Sequence, residues 1–171
     1  MAAAKSLYFG YGSNLWIHQM NNRCPENKLL GTARLQDWRW IINGRGYANV
    51  IPSKGDEVWA LLYELSPSDE ASLDVYEGVP ESYVKKTLSV EYFGEGGYGE
   101  MRDSDGRRLV DALVYVDVER VLDGPPKEEY IHRMNSAIAD ALTQGVPAAY
   151  IELHLRPCIP EFPLAIQPTR D

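Results

Sequence analysis

The tightest constraint on the fold is one sharply bounded helix set among strands. Residues 66–78 read SPSDEASLDVYEG. Ser66 is an N-cap type, Pro67 falls in the first turn, and Asp69 follows three residues after the cap. Gly78 is placed to stop the helix. On both sides the pattern is that of strands. Residues 5–10 form a short apolar strand, and LLGTARLQDWRWIIN (29–43) a long one, bent at Gly31. YANVIP and EVWALLYEL flank SKGD, which predicts a hairpin there. YVKKTLSVEYF (83–93) and RLVDALVYVDV (108–118) are two more strands, joined by a polar, glycine-rich segment. From Pro126 the period lengthens: Tyr130, Met134, Ala137, Ile138, Ala141 and Leu142 recur at helical spacing, and Gly145 ends that helix. PAAYIELHL is a further helical candidate. A chain that is β to residue 118, with one inserted helix and helices after it, is α+β with a curved or barrel-like sheet. Neither a repeat nor a linker divides it, so 1–171 reads as one domain.

Composition removes several function classes. The net charge of −8, without a basic stripe, argues against nucleic acid, whose phosphates select basic faces. No apolar run approaches the roughly 20 residues of a membrane span. MAAAKS is too short for a signal peptide, and a cytoplasmic location is expected. Cys24 and Cys158 read as free thiols of a reducing compartment.

Most motif-like stretches lose their meaning in context. GEGGYG (94–99) matches G-x-G-x-x-G, but the helix that a dinucleotide fingerprint needs does not follow, and a hairpin loop is the reading. DSDGRR lacks the spacing of a calcium loop, and Asp105-Gly106 reads as a hairpin turn. His18, His132 and His154 are dispersed, so a metal site is not expected. Ser13 sits on a strand-to-helix turn without a G-x-S-x-G elbow, which does not make it a nucleophile.

Two features keep a chemical meaning. In YFGYGSNL (8–15), glycines let backbone approach a ligand, and LWIHQMNNR is expected to begin a helix capped by Ser13 or Asn14. Helix-start amides suit an anion or a polarised carbonyl oxygen. The lysine of a phosphate loop is missing, so a carboxylate or carbonyl oxygen fits better than polyphosphate, and an ordinary capped turn fits equally. Glu77 is the second feature. A carboxylate in the last turn of the helix faces the negative dipole end, with Asp74 adding like charge. Both effects are expected to raise its pKa, as a general base requires, though a solvated helix-end residue is the alternative.

YGSN (11–14), ARLQDW (33–38), GDEVWALLYEL (55–65) and LDVYEGV with the following YV (73–84), in this order and spacing, resemble the γ-glutamylcyclotransferases. EEYIHRMNSAIADALTQGVPAAYIELHL is similar to that family's closing helices, so the likeness covers residues 6–157. It implies a small mixed β-barrel flanked by helices, with a cavity at the barrel mouth. It implies cyclisation of a γ-glutamyl group to 5-oxoproline without cofactor or metal, on a small-molecule substrate, and a homodimer. The catalytic base falls on Glu77. The substrate-binding residues fall on Tyr8, Phe9, Gly10, Tyr11, Gly12, Ser13 and Asn14 of the loop, and on Tyr83 and Tyr130 as hydrogen-bond donors. Two departures bear on the pocket: YANVIP is bulky at Tyr47 and Asn49, and the loop 94–107 is long. Asn14 also departs from the YGSL of the glutathione-specific relatives. The alternatives are a relative acting on γ-glutamyl amines or γ-glutamyl thiol conjugates, and a non-catalytic binding protein on the same fold.

Overall fold

The computed structural model describes residues 4–95 and 101–161. The described residues form six strands: β1 Ser6–Gly10, β2 Lys28–Ile42, β3 Ala48–Leu65, β4 Val84–Tyr92, β5 Met101–Arg102 and β6 Arg108–Val116. The order β1-β3-β2-β4-β6 closes on itself through a parallel β1–β6 pairing at Tyr8 and Leu113. The other pairings are antiparallel, and β5 extends the free end of β6. The result is the five-stranded mixed barrel that the sequence suggested. Closure removes the exposed sheet edges that an open sheet of this size would present.

β2 and β3 curl the sheet. β2 bulges at Leu29/Gly31 and again at Gln36/Trp38. Gly31 has φ +142, and a Cβ there would lie 2.9 Å from the Cα of Gly94, so the bend requires glycine. The expected SKGD hairpin is not present. Gln36 faces Glu57 while Trp38 faces Pro52, so residues 53–56 bulge opposite Asp37 alone and β3 runs through. Asp37, at φ 66, accepts a hydrogen bond from the Gly55 N–H at 3.0 Å. A glycine between two apolar runs suits a turn and a bulge alike. The 15-residue partner β2, long enough to pair with both runs, decides for the bulge.

The turn that does reverse the chain lies at Asn43–Tyr47, between β2 and β3. Asn43 is fully buried. Its Oδ1 accepts from the N–H groups of Arg45 (3.0 Å) and Tyr47 (3.3 Å), and its Nδ2 donates to Asp117 Oδ2 (3.0 Å). Asn43→Ala would leave those groups unpaired, and we expect a loss of about 2 kcal/mol, read as a lower denaturant midpoint at unchanged m.

The helices pack around one end of the barrel. A 3₁₀ turn, Ser13–Leu15, precedes α1 (Ile17–Arg23). The expected caps are not used: α1 begins beyond Trp16, and the Ile17 N–H donates to Asp140 Oδ2 (2.9 Å) from the third helix. Ser13 and Asn14 are buried, with their side chains committed to tertiary hydrogen bonds. α2 (Pro67–Tyr76) matches its signals. The Asp69 N–H donates to Ser66 Oγ at 3.2 Å, and Gly78 adopts φ +63 past the end. α3 (Glu128–Gln144) buries Tyr130, Met134, Ala137, Ile138 and Ala141 and ends at Gly145, φ +105. Leu142, expected on that stripe, is 42% exposed because the stripe rotates off the barrel at the last turn. PAAYIELHL is helical as α4 (Ala148–Tyr150), running into a π-helical turn at Ile151–Leu155.

The β5–β6 hairpin turns at Asp105-Gly106, with Gly106 at φ +79. Most of GEGGYG (94–99) lies outside the described residues. Cys24 and Cys158 are free thiols, and no described helix is long and apolar enough to cross a membrane.

Candidate active site

A cavity of about 390 Å³ opens at the helical end of the barrel. β1 and the turn after it supply one wall. Alternation along β1 turns Tyr8 toward the cavity and Phe9 into the core, where it is fully buried. Tyr11, Gly12, Ser13 and Asn14 continue that wall. The expectation for Phe9 and Gly10 is corrected: neither lines the cavity. A Cβ on Gly10 would meet the rings of Tyr63 and Tyr8 at 3.3 Å, so this glycine serves packing beneath the loop.

The loop is held from all sides. Trp40 Nε1 donates to the carbonyl of Tyr11 (3.0 Å), and the Tyr63 hydroxyl to that of Asn14 (2.7 Å). Asn14 Nδ2 donates to the Tyr8 hydroxyl (2.9 Å), and Gln19 Nε2 reaches both Ser13 Oγ (2.8 Å) and Asn14 Oδ1 (2.9 Å). Arg133 Nη1 also approaches Ser13 Oγ, at 3.4 Å. Ser13 Oγ is thus met by donors, with neither histidine nor carboxylate to take its proton, which is the wrong setting for a nucleophile. The Ser13 N–H is engaged too, donating to the Tyr130 hydroxyl at 3.2 Å. Among the described residues, the N–H groups of Gly12 and Asn14 have no partner. The amides the loop offers a ligand are therefore these two.

Glu77 faces this wall from the C-cap of α2. The helix places it: Leu73, one turn earlier, is fully buried, and Gly78 turns the chain away immediately after. No hydrogen bond or ion pair holds its carboxylate among the described residues. Burial raises its pKa from 4.5 to about 7, against the pull of Arg23 and then Arg133. The expected direction is found, with a different cause. Asp74 does not press on Glu77, because Lys85 (3.0 Å) and the Tyr115 hydroxyl (2.6 Å) engage its carboxylate.

Tyrosines surround the carboxylate. Tyr8, Tyr11, Tyr83, Tyr115 and Tyr130 all line the cavity. Burial, foremost, raises the pKa of each, and the charge of Glu77 adds to the rise, so all five stay neutral. Their protons are not equally available. Tyr83 donates to the Ala48 carbonyl (2.8 Å) and Tyr11 to that of Tyr115 (2.5 Å), so both present lone pairs. Tyr130 accepts from Ser13 and keeps its proton, with its pKa pushed up to about 12. Tyr130 therefore has a proton left to donate into the cavity, whereas the donor role expected of Tyr83 is revised, because its single proton is spent.

The remaining wall, Tyr47 apart, was not foreseen as a site. Arg23, Arg45, Tyr47, Tyr76, Ser82, Tyr115 and Arg133 also line it. Arg133 lies one helical turn after Tyr130, a spacing that places both on one face of α3. Arg23 and Tyr115 come from distant elements, and no local signal marks them. Of the two bulky departures, Tyr47 lines the cavity. Asn49 does not: fully buried, it donates to the carbonyl of Asp117 (2.9 Å) and accepts from the Asp117 N–H (2.9 Å), a structural clamp.

Comparison with known proteins identifies the family and the fold. A family model described as "Gamma-glutamyl cyclotransferase, AIG2-like" matches residues 8–132. Gamma-glutamylcyclotransferases from Bos taurus and Homo sapiens are each 36% identical to the chain over 83 residues. Those stretches span 43% of this chain and 44% of each relative, less than half of either protein. A solved structure of a gamma-glutamyl cyclotransferase superposes with a TM-score of 0.70 at 26% identity, over 87% of this chain and 85% of the other. With the family model covering most of the chain and the barrel shared, the chain belongs to the gamma-glutamyl cyclotransferase, AIG2-like family.

Proposed function

We propose that the protein is a γ-glutamylcyclotransferase, converting a γ-glutamyl amino acid or peptide into 5-oxoproline and the free amino compound. One observation carries the reading: an unpaired carboxylate, Glu77, with a pKa of about 7, faces a loop that offers free backbone amides across a cavity. The substrate's α-amine attacks its own γ-carbonyl carbon. The new C–N bond closes a five-membered ring, and the bond to the leaving amine breaks. Attack within one molecule leaves the site chiefly to hold one rotamer.

The ammonium must first lose a proton. Its pKa is about 8, against about 4.3 for an ordinary glutamate, a gap costing about 5 kcal/mol. With Glu77 at about 7, the gap shrinks to about one unit, or about 1.4 kcal/mol. Glu77 takes that proton and returns one to the departing nitrogen. The N–H groups of Gly12 and Asn14, with the Tyr130 hydroxyl, stabilise the charge that develops on the carbonyl oxygen. Tyr83 and Tyr11 present lone pairs, which suits an ammonium. Cofactors have no part in this scheme. A cytoplasmic location fits the two free thiols, and the homodimer rests on the family resemblance alone.

The test is a turnover panel of γ-glutamyl amino acids, glutathione, γ-glutamyl amines and bulky conjugates, scored by 5-oxoproline. At least one should turn over, with kcat/KM falling tenfold per pH unit below about pH 7 as Glu77 protonates. Tight binding of these compounds with no 5-oxoproline would instead identify a binding protein.

A further inference from the structure

Among the described residues, three guanidinium groups and one carboxylate line the cavity, in a chain whose net charge is −8. They are not equivalent. Arg133 is saturated: Glu129 holds it at 3.0 Å through two nitrogens, and it stacks 4.9 Å from the Tyr130 centroid. Arg23 lies over Tyr76 (4.7 Å) and reaches Asn14 Oδ1 (3.4 Å). Arg23 and Arg133 are also the cations whose fields act on Glu77.

Arg45 differs from both. It is exposed on the β2–β3 turn, at the rim, and has no acidic partner among the described residues. It is nevertheless fixed. Its Nη1 donates to Ser82 Oγ across the mouth. Its backbone N–H is held by Asn43, and Gly46, at φ +90, packs so closely on Lys127 that a Cβ would lie 2.9 Å from that residue's nitrogen. The turn thus presents a guanidinium at the open rim, anchored on Ser82, whose N–H donates to the Gly78 carbonyl just past Glu77. Glu77 returns a proton to the departing nitrogen, so the group attached to that nitrogen lies on this side of the cavity and reaches toward the rim.

All γ-glutamyl compounds carry one carboxylate, on the glutamyl carbon that bears the amine. Those that release an amino acid carry a second, on the leaving half; those that release a simple amine do not. Guanidinium and carboxylate pair through two parallel hydrogen bonds, a match that a neutral amide cannot make. We infer that Arg45 reads a carboxylate on the leaving half of the substrate and so selects compounds that release an amino acid over those that release an amine. The inference rests on the cyclisation reading and narrows it. The contact is the same before and during ring closure, so it acts on KM and leaves kcat little changed.

The experiment compares γ-glutamylalanine with its C-terminal amide, which differ in that one charge. The wild type should favour the acid by about tenfold to a hundredfold in kcat/KM, through KM. In Arg45→Gln the ratio should fall to near one, and Arg45→Lys should restore part of it. An acid-to-amide ratio equal in wild type and Arg45→Gln would overturn the assignment while leaving cyclisation intact. Absence of 5-oxoproline from both peptides with the wild type is a different result, and overturns the cyclisation reading and the assignment together.

Discussion

Glu77→Gln is expected to lower 5-oxoproline release by about 10²–10⁴-fold while making the protein more stable at pH 8. The amide keeps the shape of the carboxylate and cannot accept the ammonium proton, so the chemistry loses its base. The gain in stability follows from the same burial. In the folded chain the Glu77 carboxyl titrates near 7 instead of 4.5, because the charged form is poorly solvated in the cavity. Below about pH 4.5 the acid is protonated folded or unfolded, and the wild type carries no penalty. As pH rises toward 7 the unfolded chain ionises first, and stability is lost through that window. At pH 8 the penalty amounts to about 1–3 kcal/mol, the open side of the cavity holding it below the full shift. Melting curves at pH 4.5 and pH 8 should therefore separate the two proteins only at the higher pH. Wild-type turnover in Glu77→Gln would remove Glu77 from the mechanism. Loss of activity without the pH-dependent gain would place its carboxylate in a more solvated setting than the one described.

Gly12→Ala should be nearly as damaging to activity, by about 10–100-fold, with little loss of fold. Space is what resists the change. A Cβ at this position would lie 2.9 Å from the Tyr130 hydroxyl and 3.0 Å from the Cβ of Ala48. Tyr130 would have to retreat, stretching the bond from the Ser13 N–H that now measures 3.2 Å. A donor displaced by a few tenths of an ångström no longer meets the oxyanion where it forms, and kcat should fall more than KM rises. Parallel thermal melts, with a shift of only a few degrees, would separate this effect from unfolding. Turnover at the wild-type rate would show that the approach of Tyr130 to the loop does not set the reacting geometry.

Several elements were legible because their signals are local. The helix 67–76 carries its own start and stop: Ser66 caps it, Pro67 opens it and Gly78 turns out of it. Glu77, one residue past its end, was marked by the same signals. The loop of Gly12 to Asn14 was marked by its glycines and its place after an apolar strand. What failed were inferences that needed a partner. SKGD reads alike as turn or bulge, and only β2, extending past it, makes β3 continuous. Ser13 and Asn14 have the chemistry of caps, yet Gln19, Arg133 and Tyr8 claim their side chains and Asp140 caps α1 in their place.

The sequence by itself determined an α+β chain, the bounded helix, the loop and the carboxylate at the helix end, because propensity, capping and strand alternation act over a few residues. Tertiary structure alone decided how those parts become a site. It half-buried Glu77 in the cavity wall, and that desolvation raised its pKa where dipole and Asp74 had been expected to do so. It spent the proton of Tyr83 on Ala48 and left that of Tyr130 available. It brought Arg23, Arg45 and Arg133, from three separate elements, into the wall of the cavity that Glu77 lines. Solvation and hydrogen-bond partners depend on which distant groups share a cavity, and barrel closure, through pairings such as Tyr8 with Leu113, settles that.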